Sequence, residues 1–482
     1  MVQRNRLAGI CIGKRSLYFV FFCYALLWSS CSKNEVEPIH IPTDEILTTD
    51  IHLIPDKHTK KATTVLTFKN LNAIAYISVK KSGGSTYSAK INRDELSASY
   101  TFGYTIQPSD PESFDLLLTA HYEDEGVSKD LVLHVDNRWG FFIRKVERIA
   151  RVTGNPIAGE HFASPNNTAG NWNVGGTDLG IIWEMDAGKY GIFFGDTFGQ
   201  DFVPRPNQPG PNGGSWRSNV LAFSTDNNME DGLSISNMAL DNSGNAREIV
   251  YGGKDQSGNG NWTSIPTAAI RANGADYVHY FNMKRWDGWI TNYSGMYKSV
   301  DNGLTWTKCE DVLFSSNSNF GQGGYFKRDG YVYMIGTQTG RNSPASLCRF
   351  RETDIETQEN YEYWSSATGQ WIKGDEHKAT VIIQDKVGEL SFIYSNTFKK
   401  WIIAYFNEDR YNITMRVADE LTGPWSTPYE LASGNDYAQL YGSYFHPLSV
   451  TGESLYFTMS MWMPYNVYLM KADLADMGLF SE

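Results

Sequence analysis

In the stretch GGTDLGIIWEMDAGKYGIFFGDTFG, Gly175 to Gly199, two aspartates stand at equal distances from a short turn. The turn is Asp186-Ala187-Gly188-Lys189, and an apolar run lies on either side of it, ending at Asp178 and Asp196. If the runs pair as a hairpin in simple register, the two carboxylates face each other at its open end. Opposed Cβ atoms lie about 4.5–5.5 Å apart. Carboxylates that close repel, and one of them holds its proton more tightly. A pair with one member protonated and the other ionised is what hydrolysis of a glycosidic bond uses. The competing reading has both side chains capping turns or facing solvent. The glycines that crowd them, Gly175, Gly176, Gly180, Gly195 and Gly199, let backbone and ligand come close and favour the chemical reading.

Other side chains could complete such a site. Arg217 and Asn219, in WRSN, follow a Gly/Pro-rich loop from Gln208 to Gly214 that could flank a cleft. Arg217 either bonds sugar hydroxyls, pairs with a catalytic carboxylate, or sits in a structural salt bridge. Glu389, in VGELSFIYS, begins a strand and offers a third carboxylate. Tyr441 and His446, in YGSYFHP, could bind hydroxyls or tune an aspartate, although a lone histidine is more often structural. Gln322, in NFGQGGYF, is a further candidate. No CxxC or Cys/His cluster occurs, so no zinc site and no cofactor are expected. A structural calcium is left open.

The elements that must position these groups read as strands throughout. Long helical periodicity is absent, and aromatics make up 14% of the chain, which suits strands and the stacking of sugars. SVDNGLTW, Ser299 to Trp306, fits the S-x-D-x-G-x-T-W turn of sialidase-like propellers. There Asp301 would bond backbone amides, Gly303 would take a positive φ and Trp306 would wedge under the hairpin. Apolar strand pairs near 179–195, 265–298, 323–351, 389–417 and 444–471 give five units, with six as the alternative. The expected architecture over 139–482 is a five-bladed β-propeller. In a propeller the innermost strands line a channel and ligands bind at its mouth, where Asp178 would start a first strand. Residues 45–136 alternate apolar and polar and read as a small, Ig-like β-sandwich without a catalytic constellation.

The first thirty residues read as an export leader, with an uncleaved anchor as the alternative. Arg4, Arg6, Lys14 and Arg15 precede an apolar run from Ser16 to Trp28, and Ser29-Ser30-Cys31 resembles a lipoprotein cleavage site. Cys31 would carry lipid and residues 31–44 would form a tether, placing the chain at a bacterial periplasmic or outer-membrane surface. The formal net charge is −12, and losing the leader removes four basic residues and no acidic ones. So acidic a surface disfavours nucleic acid and anionic lipid, leaving the membrane to be reached through the anchor alone. Of the five cysteines, only Cys309 and Cys348 remain to pair or stay free.

VGGTDLG, FFGDTFG, WRSNVLAFS, VGELSFIYS and YGSYFHP, in that order and spacing, resemble segments of a bacterial family long catalogued as of unknown function. Its characterised members are five-bladed propeller glycoside hydrolases. They are endo-acting D-arabinofuranosidases that cut the D-arabinan of mycobacterial arabinogalactan and lipoarabinomannan. The resemblance spans about residues 150–475 and excludes the N-terminal sandwich. It implies a polysaccharide substrate, an inverting reaction, and Asp178 and Asp196 as the catalytic pair. Asp178 is expected as base and Asp196 as acid, with the exchanged order as the alternative. Other readings are an L-arabinanase, a sialidase-like enzyme, for which no arginine triad can be placed, or a glycan-binding propeller without activity.

Overall fold

The computed structural model describes residues 46–136 with short interruptions, residues 146–202 and residues 213–474. The leader, Cys31, the tether and most of the loop from Gln208 lie outside the described residues. What is described is all-β, with helix confined to the short Thr168–Trp172 turn and 3-10 segments.

The first unit has two sheets. One joins Ile46–Leu47, Lys61–Phe68 and Ser99–Thr105, and the other has five strands, with Ile74–Lys81 and Ser113–Tyr122 among them. Ser113–Tyr122 alternates strictly between covered and uncovered positions, as a half-buried strand should. The inward residues of both sheets, including Leu66, Phe102, Ile77 and Leu116, form one core.

Five more sheets follow, here numbered I to V. Sheet I runs Leu179–Asp186, Lys189–Phe194, Val220–Ser224 and Asn237–Met238; sheet II runs Thr263–Ala272, Ala275–Arg285, Ile290–Ser299 and Thr307–Ser315. Sheet III begins Gln322–Arg328, Tyr331–Thr337 and Ser343–Arg351 and carries three further strands. Sheet IV is Leu390–Ser395, Lys400–Asn407, Asn412–Ala418 and Tyr429–Ser433. Sheet V is Leu440–Phe445, Ser454–Met461 and Asn466–Asp473, completed at its outer edge by Val146–Arg151 from before sheet I.

The first strands of sheets I to V neighbour one another in order, and that of V returns to that of I. This ring explains why the inner strands show apolar runs instead of alternation. Neighbouring sheets cover both faces, and Thr263–Ala272 is buried at nine of its ten positions.

The Ser299–Trp306 turn takes the expected form. Asp301 accepts from the Thr305 amide at 2.8 Å and the Thr305 hydroxyl at 2.6 Å, and Gly303 has φ 84°. The Trp306 ring meets Phe193 of sheet I edge-on at 5.3 Å, so the turn fastens two sheets together. Cys309 and Cys348 lie on sheets II and III as buried free thiols.

Candidate active site

Each sheet sends two segments to the same end of the ring. One is the start of its first strand, and the other is the loop between its second and third strands. In antiparallel order these are neighbours. Sheet I contributes Asp178 and Asp196; sheet II, Ile265 with Trp286 and Trp289; sheet III, Gln322 with Arg341. Sheet IV contributes Glu389 with Glu408 and Tyr411, and sheet V contributes Tyr441 with Trp462 and Tyr465. Together they wall a cavity of about 750 Å³.

The hairpin register differs from the simple one. Ile181 to Glu184 pair with Phe193 to Tyr190, but Leu179 pairs with Phe194, one residue out of step. The slip occurs where Leu179 and Gly180 take φ of 69° and 87°, a bulge that re-aims the strand start. The strain at Leu179, a non-glycine residue in the left-handed region, is thus stored beside Asp178. Asp178 consequently lies across from Gly195, not Asp196: the Gly195 amide donates to the Asp178 carbonyl at 3.1 Å. The Asp178 carboxylate folds over Gly195, where any Cβ would fall 2.3 Å from Oδ1.

The two carboxyls have unlike surroundings. The Tyr441 hydroxyl donates to Asp178 Oδ2 at 2.9 Å, while Oδ1 is sealed without a hydrogen-bond partner. Burial pushes Asp178 up to about 8; the negative charge of Asp196 adds to this, and the hydroxyls of Tyr441 and, nearby, Tyr465 oppose it. Although Asp178 keeps part of its surface toward the cavity, the protein around it displaces most of the water a charge would need. Burial likewise raises Asp196, but only to about 6, because hydrogen bonds from Trp216 and Thr263 and the charge of Lys254 favour its ionised form. Trp216 Nε1 and Thr263 Oγ1 each donate to Oδ1 at 2.7 Å. Lys254 lies over the Trp216 ring at 4.1 Å and is held by Glu248 and Ser218, both at 2.7 Å. Asp196 therefore ionises first, and its charge helps keep the proton on Asp178.

Of the remaining expected residues, Glu389 and Tyr441 reach the cavity and Gln322 does so in part. Gln322 lines the wall, but its amide is spent on the Gly340 backbone, donating at 2.6 Å and accepting at 3.1 Å. Three expectations are corrected. Arg217 lies off the cavity and donates to the carbonyls of Ala246 and Asn173 at 2.8 and 2.6 Å, fastening the loops behind Asp196. Asn219 is fully buried and uses its amide on Val250, Ser264 and Ile249 backbone groups, a tie between sheets I and II. His446 accepts from the Leu448 amide at 3.2 Å as a helix cap, and burial lowers its pKa to about 4, so it is a neutral structural ring.

Sequence reasoning missed Arg341, Tyr465 and the tryptophans. They lie in loops between second and third strands, where no periodicity marks them. Trp286 and Trp289 meet edge-on at 5.3 Å, and Trp462 meets Tyr465 in the same way at 5.7 Å, giving the cavity flat apolar walls. Among the described residues no group of three or more His, Cys, Asp or Glu side chains is placed to hold a metal ion.

A ring of sheets with an acidic, aromatic-walled mouth defines an all-β protein with a built site for a small ligand or part of a larger one. More particularly, the chain belongs to the family described as Domain of unknown function (DUF4185), which matches residues 163–471. It is 28% identical over 311 residues to notoamide biosynthesis cluster protein J of Aspergillus sp. (strain MF297-2), covering 60% of this chain and 80% of that relative. Among solved structures it is similar to an exo-beta-1,3-galactanase of Phanerochaete chrysosporium, with TM-score 0.39, 12% identity and 62% of each chain covered. It is similar also to the catalytic domain of a GH62 alpha-L-arabinofuranosidase of Coprinopsis cinerea, with TM-score 0.39, 9% identity, and 68% of this chain and 96% of that one covered.

Proposed function

We propose that the protein is an exported glycoside hydrolase, endo-acting on the α-D-arabinofuranosyl linkages of mycobacterial-type D-arabinan. The observation that carries the hydrolase reading is the pair of sequestered carboxyls with unequal proton affinity on one aromatic-walled cavity. In this reading the ring is a five-bladed propeller and the N-terminal unit an Ig-like spacer. Cys31 carries the lipid that tethers the chain to a bacterial membrane. D-arabinan as the polymer follows from the resemblance of the GTD and GDT segments and their companions.

The electrostatics support the opposite role order from the one expected from sequence. Asp178, protonated at neutral pH, is the general acid, and Asp196, ionised, is the general base. Asp196 takes a proton from a water as that water attacks the anomeric carbon. The bond to the leaving oxygen breaks, and that oxygen takes the proton of Asp178. Tyr441 and Tyr465, whose hydroxyls burial keeps protonated far above neutral pH, then donate to the new Asp178 carboxylate. The oxocarbenium-like transition state gains from the Asp196 charge, and the product anomer is inverted.

The test is digestion of purified mycobacterial arabinogalactan with chromatography of the products, alongside Asp178→Asn and Asp196→Asn. Wild type should release internal D-arabino-oligosaccharides, and each variant should lose several orders of magnitude in turnover. An activated leaving group should partly restore Asp178→Asn and not Asp196→Asn. Near-wild-type turnover by either variant would return both aspartates to a structural role.

A further inference from the structure

A buried ion pair is a costly wall for a cavity. Desolvating two charges takes back much of what their attraction gives, so such a pair is weak evidence for stability and asks for another use. Arg341 and Glu389 form a partly buried one beside Asp178, their side chains 20% and 13% exposed. Arg341 Nε lies 3.1 and 3.3 Å from the two carboxylate oxygens of Glu389, and Nη2 donates to Oε1 at 2.8 Å. The guanidinium is boxed by the rings of Trp289, Phe406 and Tyr441 at 5.2, 4.9 and 5.1 Å. Gln322 clamps the preceding residue, Gly340, from both its amide and its carbonyl. The guanidinium is therefore fixed in position before any ligand arrives. Glu389 engages Nε and Nη2, which leaves Nη1 of this cavity-lining residue outside the ion pair.

We propose that Arg341 is a substrate-binding residue that donates from Nη1 to an oxygen of a neutral sugar, and that Glu389 sets this preference by cancelling the guanidinium charge. An uncompensated arginine in a low-dielectric pocket is a carboxylate or phosphate site. Here the forked donors are taken by Glu389, and the same wall carries Asp178, Asp196 and Glu408. The cavity thus offers a directional N–H without net positive charge. That suits the lone pairs of hydroxyl and ring oxygens and turns away uronates, carboxylated sugars and phosphosugars. The inference rests on the reading of the cavity as a glycan site and adds which class of glycan it accepts.

The experiment is calorimetric titration of the full chain with a neutral arabinofuranosyl oligosaccharide and, separately, with glucuronate and with sulfate. Wild type should bind the neutral probe and neither anion. Glu389→Gln keeps the shape and frees the charge, so its affinity for glucuronate and sulfate should rise about tenfold or more. Adding Arg341→Gln to that variant should abolish the gain. Arg341→Lys keeps a charge but loses the fork, and should weaken the neutral probe roughly tenfold. Anion binding by wild type as tight as that of the neutral probe overturns the proposal. So does a Glu389→Gln chain that melts like wild type and gains no anion affinity. Should Glu389→Gln fail to fold, unchanged neutral-probe affinity in Arg341→Lys overturns it instead. These are binding readouts, so a wild type that binds the neutral probe yet releases no product sinks only the hydrolase reading.

Discussion

Asp196 accepts two hydrogen bonds on one oxygen and loses its proton near pH 6, whereas Asp178 keeps its own to about 8. If the pair works as acid and base, kcat/KM should be bell-shaped with limbs near those values and a maximum at about pH 7. Lys254→Met removes the cation that favours ionised Asp196, so the acid limb should move to higher pH in a pH–rate profile. The same shifts have a sign for stability. Both carboxyls hold protons more tightly folded than unfolded, so their contribution is greatest when protonated, below about pH 4, and is lost as pH rises through 6 and then 8. Asp178→Asn abolishes the larger part of that loss. It should lose turnover yet melt above wild type, by a margin that grows from about pH 5 to about pH 9 in scanning calorimetry. Gly195 is the third residue of this group. Gly195→Ala would place Cβ 2.3 Å from Asp178 Oδ1 and must displace the carboxylate. Turnover should fall at least about a hundredfold if the acid is misplaced by an ångström, with circular dichroism unchanged.

At the scale of strands and turns, the Ser299–Trp306 hairpin is a structural device remote from the cavity. Asp301→Ala removes the acceptor for the Thr305 amide and hydroxyl and should cost about 1–2 kcal/mol in denaturant unfolding, with turnover retained in the folded fraction. That turn was fully legible in the sequence because its geometry is local: each bond spans a few residues and each residue type has one job. The five strand pairs were legible for the same reason, as was the placing of Asp178 and Asp196 at the hairpin's open end. The one-residue slip that sets Asp178 over Gly195 was not. It depends on left-handed backbone at Leu179, a conformation leucine rarely adopts and only tertiary packing can hold. Arg341 was invisible because TQTGRNSP reads as an ordinary turn, and its partner Glu389 is distant in sequence. Arg217, Asn219 and His446 misled for the converse reason. Polar residues beside a catalytic segment are as often spent on buried carbonyls and amides as on substrate.

For the whole molecule, the cavity-lining residues among those described all lie between Asp178 and Tyr465, and none of them belongs to the N-terminal unit. On the proposed function, deleting residues 32–136 should leave cleavage of soluble arabino-oligosaccharides intact, measured by product release. Extending the cut through Val146–Arg151 should not be tolerated. It bares the edge of Asn466–Asp473, and light scattering should report aggregation. The strand Val146–Arg151 is made before sheet I and must wait for a partner that follows all of sheets I to IV. Tyr441 and Tyr465, which flank Asp178, come from that same late sheet. A chain made only through sheet IV therefore has an open ring and an Asp178 without its tyrosines together. On the proposed function, the capacity for hydrolysis arrives in one step, once sheet V is in place.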